Sequence, residues 1–225
     1  MSIVLALETS TELASVALLH AGQLLSREAR GVQSHSQTVL PMARALLAEA
    51  GLSLQDCDVI AFGCGPGSFT GVRTACGLAQ GLAFGAGLPV VPVVTLEAMA
   101  HACHDESGAS EVLAVLDARM NEVYWAQYRF DNAWIEVTPP ALSRPDEVKP
   151  VGSPVFIGNG LPLCPGMSGI SGEAASAVPH ARAVAMLGAA AFQRGQAVQA
   201  IHAQPLYLRN KVALTTAERL ARTTA

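Results

Sequence analysis

The chain has 225 residues, of which 51% are hydrophobic and 14% charged, and its formal net charge at pH 7 is −4. It is long enough for one large domain or two small ones, but it lacks the basic cluster with which a protein binds a polyanion by itself. No apolar run approaches the ~20 residues of a membrane span and no leader-like segment is visible, so a cytoplasmic protein without a membrane partner is expected.

The first half of the chain predicts strands and helices in the order βββαβαβ. The predicted elements are strands over 2–8, 13–20 and 23–30, a helix over 35–50, a strand over 57–62, a helix ending near 85 and a strand over 89–94. Pro41 lies inside the first helix and is expected to kink it or to confine it to its early turns.

A second, shorter and less regular set of elements follows. It consists of a helix over 95–103, strands over 112–116, 121–130, 134–138 and 154–157, a helix over 181–194 and an extended segment over 205–208. Residues 161–178 are rich in small residues and proline and are expected to form a loop. The repetition predicts a duplicated two-lobed α/β architecture (βββαβα), with lobes over 1–104 and 105–211 and a flexible tail over 212–225. The helix near 181–194 is a candidate for packing back on the first lobe.

A glycine-rich segment joins the fourth strand to the second helix. Gly63, Gly65 and Gly67 allow the backbone to turn sharply and to approach another group closely. Ser68 or Thr70 is then expected to cap the helix. Such turns often bind phosphate at a helix N-terminus, but this one lacks the Lys-Ser/Thr end of a P-loop.

A stripe of glycines follows within the second helix. Gly77, Gly81 and Gly85 recur every four residues and therefore share one helix face. Each interior glycine costs a helix roughly 0.5–1 kcal/mol relative to alanine, so the stripe implies a compensating contact at close range. Two interpretations stay open: another helix of a partner, or a helix–sheet contact within the chain.

Five motifs together carry a resemblance to a known family. They are Leu7-Glu8-Thr9-Ser10-Thr11, His35-Ser36-x-x-Val39-Leu40-Pro41, Gly65-Pro66-Gly67-Ser68-Phe69-Thr70-Gly71-Val72-Arg73, Asp117-Ala118-Arg119-Met120-Asn121-Glu122-Val123-Tyr124 and Pro205-Leu206-Tyr207-Leu208-Arg209-Asn210. Over nearly its whole length the chain resembles the TsaB (YeaZ) family. This resemblance implies the two-lobed ASKHA fold of actin, Hsp70 and sugar kinases, to which the catalytic protein TsaD is related.

The resemblance also implies a function. Members of the family are expected to be non-catalytic scaffold subunits, required for threonylcarbamoyladenosine modification of tRNA beside the anticodon. They pair with TsaD through their first-lobe helices in a four-helix packing, and the ATPase TsaE joins that pair. The tRNA is then met only indirectly, through the complex. Without TsaD, the same surface is expected to form a homodimer with two-fold symmetry.

The residues assigned to association lie on the first two helices. Arg73 is expected to order the glycine turn by bonding carbonyls, which is the favoured role, or to contact a carboxylate of the partner. The candidate partner-binding set is His35, Val39, Met42, Leu46, Arg73, Gly77, Gly81 and Gly85.

A second candidate site concerns nucleotides. The segment Glu8-Thr9-Ser10 occupies the place of the first phosphate loop, where Glu8 could hold a hydrated magnesium ion. The matching turn of the second lobe, residues 117–120, has no glycine and is not expected to wrap a phosphate. No cofactor is assigned, and weak or interface-shared binding of ATP or ADP with Mg²⁺ stays open.

No catalytic residue and no metal site are assigned. In the related TsaD a His-x-x-x-His pair binds a metal, and the resemblance puts Thr95 and Met99 at those positions, where neither is a suitable ligand. His101 and His104, with Asp105, form a conceivable displaced site, but a surface location is favoured for both histidines. The five cysteines contain no Cys-x-x-Cys pair and are expected to be reduced and buried. Two alternatives remain: an autonomous nucleotide-dependent enzyme such as a kinase or ATPase, and a metallopeptidase-like protein.

Overall fold

Two β-sheets organise the chain, which the computed structural model describes over residues 2–30, 35–167 and 177–209. The order βββαβαβ predicted for the first half is confirmed. The elements are β1 (Val4–Glu8), β2 (Leu13–His20), β3 (Gln23–Arg30), α1 (His35–Glu49), β4 (Val59–Gly65), α2 (Phe69–Ala86), β5 (Pro89–Val94), α3 (Thr95–Ser107), β6 (Glu111–Asp117), β7 (Val123–Asp131), β8 (Ala133–Ser143), β9 (Val155–Ile157), α4 (Ala181–Gln193) and β10 (Val198–Gln199).

The first sheet has the strand order β10-β5-β4-β1-β2-β3 and is covered by helices on both faces. Strand β1 runs parallel to β4 and antiparallel to β2. Because successive side chains of a strand point to opposite faces, Leu5 and Leu7 pack with α1 and α2, whereas Val4 and Ala6 pack with α4. The sheet is therefore the middle of three layers, and every residue of β1 is buried.

The second sheet has four strands in the order β8-β7-β6-β9, with β6 and β9 parallel. Helix α3 lies between the two sheets and contributes to the cores of both. Its Ala98 packs in the apolar cluster of α4 and the first sheet, whereas Leu96 and Met99 pack with Val112 and Tyr128 of the second sheet. One helix therefore fixes the position of one lobe against the other.

Helix α4 packs on the first sheet. Gly188 lies so close to Ala61 of β4 that a Cβ at this glycine would overlap the alanine side chain. After α4 the short strand β10 pairs antiparallel with β5 at the sheet edge. The structure therefore joins residues 181–199 to the sheet of the first lobe. The predicted division at residue 104 counted them with the second lobe, with the helix near 181–194 as a candidate for packing back on the first.

Three strands are longer than the sequence predicted, and β6 adds one residue at each end of the predicted 112–116. β4 continues to Gly65, so that two of the three glycines predicted to form the turn belong to the strand. β8 continues to Ser143 through Pro139 and Pro140. The prolines are tolerated because β8 is an edge strand, where a missing N–H need not break the hydrogen-bond ladder.

Pro41 does not confine helix α1 to its early turns. α1 is continuous through Pro41, which is exposed, and reaches Glu49. Residues 205–208, predicted as an extended segment, belong to neither sheet. The predicted tail over 212–225, and residues 168–176 of the predicted loop over 161–178, lie outside the described residues.

Candidate partner surface and interlobe cleft

Helix α2 starts from a side-chain cap. Ser68 is the N-cap residue, and its Oγ accepts a hydrogen bond from the backbone N–H of Gly71 at 3.4 Å. The prediction that Ser68 or Thr70 caps this helix is thus confirmed for Ser68. Thr70 instead accepts, through its backbone carbonyl, a hydrogen bond from the Thr74 hydroxyl one turn later.

The two long faces of α2 both consist of small residues, but only one of them is covered. Ala75, Ala79 and Ala83 are fully buried against the first sheet. On the other side Gly77, Gly81 and Gly85 are exposed, and a Cβ added to any of them would meet no described atom within 4 Å. The interpretation that this glycine stripe packs against the chain's own sheet is therefore wrong.

Exposed apolar side chains border the glycine stripe. Phe84, which lies between Gly81 and Gly85 along the helix, is 85% exposed. Ile201 is 76% exposed and lies in a short 3₁₀ turn beside α2, where the Gln80 amide nitrogen donates to the carbonyl of Ala203 at 3.0 Å. An aromatic ring in water next to a stripe without side chains is typical of a surface that a partner covers.

Helix α1 contributes less to this surface than the sequence predicted. Val39 and Leu46 are 0% and 1% exposed and belong to the core beneath the first sheet, so in the free chain their side chains form no surface. Met42 is only half-buried. His35 lines the cleft between the lobes. The sequence showed an apolar stripe on α1, and the structure uses that stripe for folding.

Arg73 is ordered by aromatic side chains and not by carbonyls of the glycine turn. Its guanidinium carbon lies 3.7 Å from the ring centroid of Phe69, and its Nε donates to the hydroxyl of Tyr207 at 2.6 Å. The two rings lie 6.0 Å apart. Sequence reasoning missed Tyr207, although it lies in the Pro205–Asn210 motif, because 134 residues separate it from Arg73.

The carboxyl group of Glu8 is held inside the protein. The residue is fully buried, its Oε1 accepts from the backbone N–H of Ser10 at 2.6 Å, and its Oε2 accepts from the Thr95 hydroxyl at 3.4 Å. Burial raises the pKa of this carboxyl above its usual value, against the opposing effect of these hydrogen bonds. A Cβ at Gly63 would overlap the carboxylate. A hydrated Mg²⁺ keeps several waters in an octahedral shell, so this site does not fit the ion.

The turn after β6 adopts left-handed backbone without glycine. Arg119, Met120 and Asn121 have φ values of 63°, 57° and 58°. Such conformations cost energy for side-chain-bearing residues and concentrate at functional sites. The expectation that this turn, having no glycine, does not wrap a phosphate stays a prediction.

Side chains hold this turn in place from two directions. Asp117 Oδ1 accepts from the backbone N–H of Arg119 at 2.7 Å. From the end of the described chain, Arg209 donates to the carbonyl of Ala118 at 3.0 Å and lies 2.6 Å from the carboxylate of Glu122. The segment that contains Arg209 is itself fixed to the first lobe, because Leu206 N–H donates to the carbonyl of Cys64 at 2.7 Å.

A cleft of about 820 Å³ separates the start of α2 from the turn after β6. Three arginines line it, Arg73, Arg119 and Arg209, together with the acidic residues Glu12 and Asp117. Asp117 forms a 3.0 Å ion pair with Arg119. Since Arg209 is paired with Glu122, two of the three arginines have carboxylate partners, and among the described residues Arg73 has none.

The two histidines considered for a metal site lie in an aromatic cluster. His101 accepts from the indole N–H of Trp134 at 3.3 Å, and burial lowers the pKa of this histidine. The ring of His104 lies 4.2 Å from that of Phe130. Both histidines are partly buried in this cluster. Within the described part of the chain, no three potential metal-ligating side chains come together.

The positions at which TsaD was expected to carry its metal-binding histidines have structural roles here. Thr95 accepts from the backbone N–H of Gly65 at 3.1 Å, and Met99 is 2% exposed in the core between the lobes.

Of the helices within residues 2–30, 35–167 and 177–209, none has the length and hydropathy that a membrane crossing requires.

The fold and the cleft define an ASKHA-like protein related to TsaD. The family described as "TsaD: tRNA N6-adenosine threonylcarbamoyltransferase" matches residues 28–157, which is more than half of the chain. Two solved structures from Pseudomonas aeruginosa, one titled YeaZ and the other an uncharacterized protein with similarity to peptidase YEAZ, superpose with TM-scores of 0.83 and 0.84. Both are 41% identical, and the matches cover 92% and 93% of this chain and all of each structure.

Curated relatives identify the branch of this family. The tRNA threonylcarbamoyladenosine biosynthesis protein TsaB of Escherichia coli is 39% identical over 221 residues, which is 93% of this chain and 96% of that protein. The protein of the same name from Haemophilus influenzae is 37% identical over 224 residues, 92% of this chain and 94% of that protein. The chain belongs to the TsaB (YeaZ) family, and both the resemblance and the ASKHA-like fold expected from its motifs are confirmed.

Proposed function

We propose that this protein acts in threonylcarbamoyladenosine biosynthesis on tRNA, as a non-catalytic subunit that docks on a TsaD-like catalytic subunit. The names of the TsaB relatives support the pathway. The observation that carries the docking role is the exposed glycine stripe of α2, which has no described atom near it.

The chemistry of the stripe favours a helix as the docking element. Residues spaced by four form a ridge or groove along a helix, and three glycines in such a row leave a groove. A partner helix laid in this groove approaches the α2 backbone closely, which offsets the helix-propensity cost of the glycines. Phe84 beside the groove supplies the large aromatic contact that interfaces often use as an anchor.

The same groove supports the remaining partner predictions. In the absence of a TsaD-like subunit, two copies could pair through it around a two-fold axis, since such an interface uses one patch twice. A TsaE-like ATPase would then engage the assembled pair. The net charge of −4 supports indirect contact with tRNA, because direct binding needs a surface that neutralises several phosphates.

Interface-shared binding of ATP or ADP stays a prediction, and the cleft supports it better than Glu8 does. Arg73, Arg119 and Arg209 offer guanidinium donors, and Phe69 and Tyr207 offer rings, around a cleft of about 820 Å³. The autonomous kinase or ATPase alternative requires more: turnover of Mg·ATP by the purified chain alone.

Reconstitution of tRNA modification tests the proposed function. TsaD, TsaE, the enzyme that supplies the activated threonylcarbamoyl group, and tRNA are held constant, and this chain is added or omitted. Modification is expected only when the chain is present, and the chain alone is expected to transfer nothing. Equal modification without it, or transfer by the chain alone, would refute the proposal.

A further inference from the structure

Thr9 and Ser10, which follow β1, are packed against the start of α2 with no space between them. Thr9 Oγ1 donates to the carbonyl of Gly71 at 2.7 Å, and Ser68 N–H donates to the carbonyl of Ser10 at 2.7 Å. A Cβ at Gly67 would lie 2.6 Å from both Cβ and the carbonyl oxygen of Ser10, and a Cβ at Gly71 would overlap the Thr9 carbonyl. These two glycines therefore exist for contact within the chain.

Three hydrogen-bond donors of this segment are used inside the protein. A phosphate loop works because its backbone N–H groups converge on the phosphate. Here the backbone N–H groups of Thr9 and Ser10 both interact with the carboxyl group of Glu8. The hydroxyl of Thr9 is used by Gly71. These three donors are thus already used inside the protein, whereas the buried Ser10 hydroxyl has no hydrogen-bond partner among the described residues.

Glu8 connects this segment to two further elements. Its Oε2 accepts from the hydroxyl of Thr95, at the start of α3, and that hydroxyl in turn accepts from the N–H of Gly65 in β4. The carboxyl group fills the space left by the missing side chain of Gly63. One buried side chain therefore links β1, β4 and α3 directly beneath the start of α2.

We propose that Glu8, Thr9 and Ser10 form an internal staple that positions α2, in place of a site for phosphate and magnesium. The fully buried Glu8, with both oxygens engaged, excludes a hydrated cation from this point. The staple sets the direction in which α2 leaves the sheet, and so the orientation of the glycine stripe. Only this last consequence rests on the proposed docking function.

Hydrogen exchange of the free chain tests the staple without any partner. Thr9→Val keeps the shape of the side chain and removes its donor, and Thr9→Ser restores the hydroxyl. Thr9→Val is expected to speed amide exchange in the first two turns of α2 about fivefold, as loss of one buried hydrogen bond implies, while α4 is unchanged. Thr9→Ser is expected to return the rate to the wild-type value.

Gly188→Ala is the matched control, since it forces a Cβ into Ala61 on the opposite face of the same sheet. It is expected to speed exchange in α4 and to leave the start of α2 unchanged, whereas Gly71→Ala does the reverse. If Thr9→Val and Gly71→Ala leave α2 as protected as in the wild type, the staple is refuted. If the staple holds and a TsaD-like subunit still fails to bind, only the docking function is refuted.

Paramagnetic Mn²⁺, added alone and then with ATP, tests the second half of the proposal. The amide signals of Ser10 and Gly71 are expected to keep their line widths at Mn²⁺ concentrations that saturate ATP. Saturable broadening of these signals that disappears in Glu8→Gln would show a metal ligand at Glu8 and overturn the inference.

Discussion

Gly81→Leu is expected to change folding and association in opposite directions. In the free chain Gly81 is exposed in the middle of α2, and an added side chain would meet no described atom within 4 Å. A leucine therefore brings no clash to the monomer. In a complex built on the glycine stripe, the same leucine fills the groove that the partner helix needs.

Both magnitudes follow from this geometry. Glycine is about 0.5–1 kcal/mol worse than leucine inside an exposed helix, so the monomer is stabilised by that amount and its Tm rises by about 1–4 °C. Inserting a side chain into a packed helix–helix contact costs roughly 1–3 kcal/mol. That cost corresponds to association weaker by roughly 5- to 150-fold.

Two measurements on one protein preparation decide the question. Thermal unfolding gives the stability of the free chain, and titration calorimetry with a TsaD-like subunit gives the affinity. Gln193→Leu is the control, because it adds an exposed leucine at the end of α4, away from the stripe. Unchanged affinity of Gly81→Leu, or loss of affinity equal to that of Gln193→Leu, would remove the stripe from the interface.

Three further predictions concern single side chains. Burial raises the pKa of Glu8 above 4.5, so as the pH rises past 4.5 this carboxyl group loses its proton in the unfolded chain before it does in the folded one. In urea titrations from pH 4.5 to 8, the free energy of unfolding of the wild type is therefore expected to fall relative to that of Glu8→Gln. A difference that stays constant with pH would contradict this. Burial raises the pKa of Cys64 to about 12, so iodoacetamide at pH 7.5 is expected to alkylate this thiol only after the chain is unfolded in urea. Labelling of the folded chain at the rate of the unfolded chain would contradict the burial of Cys64. Arg73→Lys is expected to lose the planar contact with Phe69 and to lower the free energy of unfolding by roughly 0.5–1 kcal/mol. A double-mutant cycle with Tyr207→Phe measures the coupling energy between Arg73 and Tyr207. A coupling energy of zero would show that the 2.6 Å hydrogen bond contributes nothing to stability.

The sequence predicted the order of elements because each signal was local. Alternating apolar residues, the Ser68 cap and the small-residue helix all act within a few residues of one another. It did not predict which apolar stripe would face outward. Val39 and Leu46 recur with the helical spacing that an interface stripe on α1 would also show. Only the position of the sheet shows that they belong to the core.

Contacts between distant segments were also beyond the sequence. Tyr207 contacts Arg73, and Arg209 contacts Ala118. The partners are 134 and 91 residues apart in the sequence, so no local spacing rule predicts these contacts. The left-handed turn after β6 was missed for a related reason. Its conformation is held by an arginine some 90 residues away and not by glycine within the turn.

Helix α2 explains why small residues can serve two unlike purposes in one element. On its inner face alanines let the helix lie close to β4, and alanine also favours the helical state. On its outer face glycines occur where nothing in the described chain approaches, although alanine there would stabilise the free monomer. Contacts among the described residues therefore give no reason for glycine at three positions in register. A backbone that comes closer than a methyl group allows would give one, and this is the reason for proposing that a partner helix docks on the stripe.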